Sequence, residues 1–394
     1  MPRNEYLNLL KRAEQSDVVN LCRRLVRFET VNPPGNELPC AVYVSDYLRA
    51  AGYTVELVNH SPSRASVVAR LKGSGEAPPL VVCGHLDVVP VGEEEWLHSP
   101  FGGDLADAKV WGRGAADMKG GVAAILCAAR LVAEAGVPLR GDLIAIFTAG
   151  EEGEQLGASV IAGRSDIAPI QAIVIGEPTS NDVAITEKGT LWLEITTHGK
   201  TAHGAFPHVG ENAIMMAVDF LEKFVRLELA PPMVDRYLGT MTSNIAMIEG
   251  GVKPNVVPDQ CTVTIDLRTL PGQDHRAIVS RVERVLDELS QAEGSFKASL
   301  RVVNDRSPVG TRRDESVVQR FCRLLGDIRG REQEPRGVAY CTDGASLVPA
   351  FGAPMIICGP GSEHLAHQPN EHVDVAQLVE AVKVYTLAAI EFLG

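Results

Sequence analysis

Residues 143–152, LIAIFTAGEE, join an uncharged apolar run to two adjacent carboxylates, Glu151 and Glu152. The first five residues have the length and apolar character of a strand that is buried on both faces, as in a parallel sheet. Similar runs occur at Leu80–Cys83 and Ala172–Ile175, and each is followed within two residues by a His or a Glu. The stretch therefore predicts parallel strands that present chemically active side chains beyond their carboxyl ends.

Strand-like runs alternate with segments of helical period along the chain. Apolar residues keep helical spacing within 18–28, 44–51 and 122–133, and further strand-like runs lie at 66–71 and 355–358. This alternation predicts the α/β class, with a catalytic domain whose mostly parallel central sheet is flanked by helices.

The pattern changes after Pro178. Residues 183–306 contain strand-like and helical segments in the order of roughly two β-α-β units. We therefore predict that residues 1–182 and 307–394 form the catalytic domain in two parts, and that 183–306 form a smaller inserted α+β domain. A length of 394 residues suits this division, because domains commonly have about 100–200 residues.

Composition excludes several classes of partner. The net charge is -13, with 50 acidic and 37 basic residues, which argues against a protein that binds nucleic acid or an anionic membrane surface. The 8 cysteines include no C-x-x-C pair and favour reduced thiols. No apolar run approaches the ~20 residues of a membrane span, and the first residues do not resemble a signal peptide. We expect a cytoplasmic protein.

A set of His and carboxylate residues predicts a metal site. Its members lie at or near predicted strand ends and are His85, Asp117, Glu152, Glu177 and His367. These ligand types suit zinc, cobalt or manganese, and two ions ~3.5–4 Å apart can polarise a carbonyl and generate hydroxide at neutral pH. One carboxylate must bridge them. We assign this role to Asp117, because it opens a predicted helix at 118–135 whose positive end favours an anion.

The remaining carboxylates of the same motifs have separate predicted roles. Glu151 is the general base, which takes a proton from water and gives it to the leaving amine. Adjacent residues of a turn can point in different directions, so Glu152 can bind metal while Glu151 does not. Asp87 is expected to hold the imidazole N–H of His85, and Gly120–Gly121 to allow close approach of the backbone.

Each motif alone has an ordinary structural alternative, such as a solvated turn for Glu151 and Glu152. Together the motifs resemble the superfamily of acetylornithine deacetylase, succinyl-diaminopimelate desuccinylase and glutamate carboxypeptidase. The matching motifs, in chain order, are GHLDVVP at 84–90, GRGAADMKGG at 112–121, the Glu151-Glu152 pair, GEP at 176–178 and AHQPNE at 366–371. They extend over nearly the whole chain.

The resemblance implies a dinuclear zinc amidohydrolase with a catalytic domain and a smaller lid that forms a homodimer, here through 183–306. It implies that His85 and Glu177 bind one ion and that Glu152 and His367 bind the other. It also implies a cis peptide bond after the bridging Asp117. The expected cofactors are therefore two divalent ions, zinc with cobalt or manganese as alternatives.

The predicted lid contains further residues that resemble family motifs. In the motif GKTAHG at 199–204, the resemblance implies that His203 reaches the active site of the partner subunit and steadies the oxyanion, a contribution commonly worth ~2.7–4 kcal/mol. Asn255 and Arg268 resemble ligands of the substrate carboxylate, for which a guanidinium group is well shaped. The ordinary alternatives are a surface-loop histidine and a surface arginine at a strand end. His208 is interpreted as structural.

These observations predict a metallohydrolase that acts on the amide bond of an N-acyl amino acid or dipeptide-like substrate, with metal-bound hydroxide as nucleophile. The motif at 342–344 favours desuccinylase-like relatives, whereas that at 366–369 favours deacetylase-like ones, so the acyl group and the amine stay open. Two alternatives are a non-hydrolytic binding protein on the same scaffold and a mononuclear hydrolase. The first would be expected to lack a ligand or the base, and all six residues are present.

Overall fold

The computed structural model of the protein describes residues 3–167, 169–292 and 294–394. Its strands are β1 (Thr54–Ser61), β2 (Arg64–Leu71), β3 (Leu80–His85), β4 (Asp104–Ala106), β5 (Lys109–Trp111), β6 (Leu143–Thr148), β7 (Ala172–Ile175), β8 (Ala184–Glu187), β9 (Gly189–His198), β10 (Thr242–Gly250), β11 (Gln260–Thr269), β12 (Ala298–Arg306), β13 (Val309–Gly310), β14 (Arg336–Val338), β15 (Met355–Ile357) and β16 (His372–Asp374). Its α-helices are α1 (Arg3–Glu14), α2 (Val18–Val26), α3 (Leu38–Ala50), α4 (Gly120–Ala135), α5 (Leu156–Ala162), α6 (Ala213–Phe224), α7 (His275–Ala292), α8 (Ser316–Arg329), α9 (Gly344–Phe351) and α10 (Val375–Leu393). A π-helical turn at Ala115–Lys119 precedes α4.

The chain divides into two compact units. The first contains the residues up to Thr186 together with Gly310–Gly337 and Thr342–Gly394, and the second contains Glu187–Val309 and Val338–Cys341. The predicted limits of the inserted domain, 183 and 306, stay a prediction. Among the described helices, none is both long enough and apolar enough to cross a membrane.

The main sheet has the strand order β1–β2–β6–β3–β7–β15–β8–β13, with β14 paired to β8. Strand β3 pairs in parallel with β6 and β7, and β15 pairs in parallel with β7. Every residue of β3, β6 and β7 is buried, which explains why these strands are continuous apolar runs in the sequence. The prediction of an α/β fold with a mostly parallel central sheet is confirmed.

The parallel strands place the candidate residues along one edge of the sheet. Strand β3 ends at His85, β6 ends three residues before Glu151, and β7 ends two residues before Glu177. Because parallel neighbours run in the same direction, their carboxyl ends meet at the same edge, where open α/β sheets commonly bind ligands. Residues far apart in the sequence therefore share one small region.

The second unit has a sheet of its own, with the order β10–β11–β9–β12 and antiparallel neighbours. Along the chain, β9–α6–β10 and β11–α7–β12 form the two predicted β-α-β units. Alternate residues of β9 and β11, including Leu193 and Ile265, share a buried core with Phe220 of α6 and Val282 of α7. Both helices therefore cover the same face of this sheet.

Candidate metal centre

His85 is the most enclosed of the predicted metal ligands, with a side chain that is 1% exposed. Its Nδ1 lies 3.0 Å from the backbone carbonyl oxygen of Asp87. Because a carbonyl oxygen only accepts hydrogen bonds, this contact places a proton on Nδ1, and Nε2 is the nitrogen that faces the other candidate ligands and would bind a metal. Nε2 lies 3.0 Å from Oδ1 of Asp117 and 3.6 Å from Oε1 of Glu177.

Asp117 lies between the two histidines. Its Oδ2 lies 3.4 Å from Nε2 of His367, whereas its Oδ1 lies near His85. Nε2 of His367 also lies 3.1 Å from Oε2 of Glu152. One carboxylate thus presents a different oxygen to each histidine, which is the arrangement required of a bridging ligand.

The described residues contain two groups whose potential ligand atoms lie within 4.8 Å of one another. One group is His85, Glu151 and Glu177, and the other is His85, Asp117 and Glu152. With His367 beside Glu152, the structure brings together the five predicted ligands and Glu151. The geometry also places Glu151 close enough to bind a metal, so its separate role as the base stays a prediction.

The cluster concentrates negative charge in a buried volume. Burial and the charge of Asp117 raise the pKa of Glu177 well above its usual range, and the same causes raise the pKa of Glu152. Burial disfavours protonation of His85, but the charges of Glu177 and Asp117 outweigh it and hold the pKa of His85 well above its ordinary value. Hydrogen bonds with Asp117 and Glu152 raise the pKa of His367 to about 10. Divalent ions would neutralise the same carboxylates, so the donor set fits a dinuclear metal centre.

Asp87 contacts the loop after β6. Its Oδ1 accepts hydrogen bonds from the backbone N–H groups of Gly150 and Glu151 at 2.9 and 3.0 Å. Its Oδ2 accepts from Glu152 N–H at 3.1 Å and from the side-chain amide of Asn32 at 2.9 Å. The carboxylate lies 3.8 Å from Nδ1 of His85, so it is the backbone carbonyl of Asp87, at 3.0 Å, that holds the imidazole N–H. The side chain instead fixes the turn that carries Glu151 and Glu152.

The turn around Asp117 differs from the predicted helix start. Asp117 has φ -118° and ψ 95° within the π-helical turn, and regular helix begins at Gly120, two residues later than predicted. The turn bends around the buried carboxylate of Glu371, whose Oε1 accepts hydrogen bonds from the N–H groups of Ala116 and Asp117 at 2.9 and 3.0 Å. The Asp117–Met118 peptide bond is cis, as the resemblance implied.

Glycine allows α4 to approach the end of β7. A Cβ atom on Gly121 would lie 2.1 Å from the carbonyl oxygen of Gly176, and one on Gly120 would lie 2.5 Å from that of Ala115. No side chain fits at such distances from rigid backbone, so the expectation of close backbone approach is confirmed. The contact brings the turn of Asp117 next to Glu177.

His203, Asn255 and Arg268 lie in the second unit. His203 and Asn255 are exposed; Nδ1 of His203 accepts a hydrogen bond from the backbone N–H of Ala205 at 3.0 Å. On β11, Nε of Arg268 donates to Asp266 at 3.1 Å. The catalytic and substrate-binding roles of these three residues stay predictions.

Sequence reasoning missed the partners of the candidate ligands. Glu371 lies inside the AHQPNE motif but received no role, and it forms a buried ion pair with Arg113 at 2.7 Å. The only sequence signal was a charged residue in each of two glycine- or proline-rich motifs. Asp343, within the motif at 342–344, is 2% exposed and accepts a hydrogen bond from the hydroxyl of Thr148 at the end of β6.

Comparison with known sequences identifies the family. Residues 81–391 match the model of Peptidase family M20/M25/M40. The chain belongs to this family. A relative named acetylornithine deacetylase, from Myxococcus xanthus, is 31% identical over 379 residues, which cover 94% of this chain and 96% of the relative. A relative from Staphylococcus epidermidis, named probable succinyl-diaminopimelate desuccinylase, is 29% identical over 399 residues with the same coverage.

Solved structures of the family share the fold. The M20 family metallo-carboxypeptidase Sso-CP2 from Sulfolobus solfataricus has a TM-score of 0.81 at 17% identity and covers 95% of this chain and 98% of its own. A dinuclear metal binding peptidase of the M20 family from Bacillus subtilis has a TM-score of 0.72 at 18% identity, covering 98% and 99%. The protein is thus a hydrolase of amide or peptide bonds in a metal-dependent family, with a candidate dinuclear site.

Proposed function

We propose that the protein hydrolyses the amide bond of an N-acyl amino acid with the help of two divalent metal ions. The observation that carries the proposal is the position of Asp117, with one carboxylate oxygen near each of two histidines and Glu151 in the same cluster. The names of the two relatives refer to N-acylated diamino acids. We therefore propose N-succinyl-diaminopimelate and N-acetylornithine as the first substrates to test.

The donor set suggests how the ions would be held. His85 and Glu177 would bind one ion, Glu152 and His367 the other, and Asp117 both. Zinc suits this mixture of imidazole and carboxylate, and cobalt or manganese could replace it. When bound, the ions would polarise the substrate carbonyl and make a water molecule more acidic.

Glu151 is the proposed general base. Glu151 is 5% exposed, and its backbone N–H donates to Asp87 at 3.0 Å, so the turn that carries it is held in place before substrate binds. Glu151 would accept a proton from the attacking water and transfer it to the departing amine. An enclosed carboxylate on a fixed turn suits this double role, because proton transfer needs a donor and an acceptor within hydrogen-bonding distance.

We further propose that the second unit mediates a homodimer of a cytoplasmic enzyme. Strand β10 is exposed along its whole length, and apolar side chains of β10 and of α6 are exposed, namely Ile245, Met247, Ile248, Met215 and Val218. An exposed edge strand with apolar side chains readily pairs with another strand. In that assembly His203 would steady the oxyanion in the partner, and Asn255 and Arg268 would bind the substrate carboxylate.

Amine release from a panel of substrates tests the proposal. The panel contains N-succinyl-diaminopimelate, N-acetylornithine, simple N-acyl amino acids and dipeptides, each assayed with zinc, cobalt or manganese. Metal-dependent amine release from one acyl-amine pair would support the proposal. If no substrate of the panel releases amine while two ions are bound, the non-hydrolytic alternative is favoured. Arg268→Ala should raise KM for substrates with a free carboxylate but not for neutral amides, and His203→Ala should lower kcat more than it raises KM.

A further inference from the structure

Arg113 and Glu371 form an ion pair whose side chains are 2% and 0% exposed. Such a pair is weak support for stability in itself, because removing two charges from water costs free energy that their attraction barely offsets. Neither residue is a candidate ligand, base or substrate contact. Their hydrogen bonds to the backbone suggest a more specific role.

Glu371 holds the backbone of Asp117. Its Oε1 accepts from the N–H groups of Ala116 and Asp117, and its Oε2 accepts from Nη1 of Arg113 at 2.7 Å. The backbone carbonyl of Glu371 also accepts from Gly112 N–H at 2.9 Å. The candidate bridging ligand is therefore fixed through its own peptide group by a carboxylate 254 positions away in the chain.

Arg113 holds the backbone of His367. Its Nη2 donates to the carbonyl oxygen of His367 at 3.3 Å, and its Nη1 donates to that of Gln368 at 3.1 Å. His367 has φ 64°, a left-handed conformation that is unfavourable for a residue with a side chain. The planar guanidinium group can contact both carbonyls and Glu371 at the same time, which a lysine ammonium cannot do with the same geometry.

The two candidate metal sites differ in how their ligands are supported. His85 and Glu177 lie next to the ends of buried strands, and their side chains are 1% and 5% exposed. His367 lies in a loop and its side chain is 52% exposed. Its position therefore depends more on hydrogen bonds to its backbone than on packing around its ring.

We propose that Arg113 and Glu371 are positioning residues that hold Asp117 and His367 in place for the ion shared with Glu152. This inference rests on the proposed function, because it takes these residues to be metal ligands. Loss of the pair should weaken the ion bound by Glu152 and His367 more than the ion bound by His85 and Glu177. Loss of a partner that orients a metal ligand typically costs about 10–100-fold in metal affinity.

The test uses the full chain loaded with cobalt, from which the ions are withdrawn by a chromophoric chelator while the visible absorption spectrum is recorded. Arg113→Lys keeps the positive charge but not the planar set of guanidinium donors. Glu371→Gln keeps one acceptor oxygen but not the negative charge. Arg113→Lys acts on His367, so it should weaken the ion bound by Glu152 and His367 by about 10–100-fold, change the cobalt spectrum and leave the other ion close to wild-type affinity. Glu371→Gln also acts on Asp117, which would bind both ions, so it should weaken both ions and the one bound by Glu152 and His367 the more. His367→Ala identifies which release step belongs to the weakened ion.

Asp142→Asn is the matched control. Asp142 is 4% exposed and, like Glu371, accepts from an arginine and a backbone N–H, here Arg70 and Gly73. It precedes the first residue of β6, at the opposite end of that strand from Glu151. This variant should lose stability but keep the affinity of both ions.

Equal weakening of both ions by Arg113→Lys would overturn the inference, as would wild-type affinities in that variant. If Arg113→Lys does not fold, wild-type affinities and spectra in the folded Glu371→Gln variant would overturn it. Those results would leave the proposed function intact if the wild-type chain binds two ions and hydrolyses its substrate. A wild-type chain that binds fewer than two ions would overturn the proposed function and this inference with it.

Discussion

Asp87→Asn should disturb the turn that carries Glu151 and Glu152 without changing either of these side chains. The change replaces Oδ2, which accepts from Glu152 N–H at 3.1 Å and from Asn32 Nδ2 at 2.9 Å, by an amide nitrogen. The Asn32 amide can turn and offer its oxygen, but the backbone N–H of Glu152 cannot change. One buried N–H then has no acceptor, at a cost of ~1–3 kcal/mol.

The bonds that Oδ1 retains to Gly150 and Glu151 also weaken in Asp87→Asn. Bonds to an ionised acceptor are roughly twice as strong as neutral ones. The total loss in free energy of unfolding should therefore be about 3 kcal/mol, measured by urea denaturation. Because Glu151 moves with the turn, kcat should fall by about 100-fold. The variant should still fold, because the N–H groups of Gly150 and Glu151 keep their hydrogen bonds to Oδ1.

Asp142→Asn provides the comparison, because it removes a buried carboxylate at the other end of β6. It should reduce stability without reducing kcat in the remaining folded protein. If Asp87→Asn lowers stability to the same extent as Asp142→Asn but retains wild-type kcat, the role of Asp87 in positioning Glu151 is refuted. Unchanged stability in Asp87→Asn would refute the hydrogen-bond argument itself.

Three further predictions concern single residues. Glu151→Gln should lower kcat by at least about 100-fold, the usual contribution of general acid-base catalysis. Its metal content, measured by elemental analysis, should be unchanged. If the variant binds only one ion, Glu151 is a metal ligand. Gly121→Ala should lower the free energy of unfolding, measured by urea denaturation, by about 3 kcal/mol, because its Cβ meets rigid backbone. Gly163→Ala is the control: the nearest atom to its Cβ is 3.5 Å away, so it should be neutral or slightly stabilising. Similar losses in both variants would contradict the close-approach argument. Burial alone would raise the pKa of Asp142, but hydrogen bonds from an arginine and a backbone N–H hold it below the ordinary value of 3.8. The ionised carboxylate of Asp142 therefore stabilises the folded protein above that pH, and this stabilisation is lost below it. The difference in free energy of unfolding between wild type and Asp142→Asn should narrow as the pH falls below about 4.

The sequence was most informative where one strand determines the position of a residue. The continuous apolar runs before His85, Glu151 and Glu177 predict buried parallel strands, and the carboxyl ends of such strands meet at one edge. That argument needs only local pattern and a general rule of sheet geometry. The α/β class and the close approach of α4 at Gly121 followed from the same kind of pattern.

The contacts between distant segments could not be predicted in this way. Arg113 and Glu371 are 258 positions apart, and nothing in either motif indicates that the two side chains meet. The contact of Asp87 with the turn at 150–152 likewise depends on how β3 and β6 are aligned. The helix start was misplaced by two residues because a carboxylate from another segment bends the chain at Asp117.

The most direct test of the central claim is a titration of the metal-free chain with zinc while amine release from N-succinyl-diaminopimelate and N-acetylornithine is followed. The account predicts that two ions bind per chain and that full activity on one of these substrate types requires both. Full activity at one ion per chain would contradict the dinuclear centre, and two bound ions without hydrolysis of any N-acyl amino acid would contradict the proposed function.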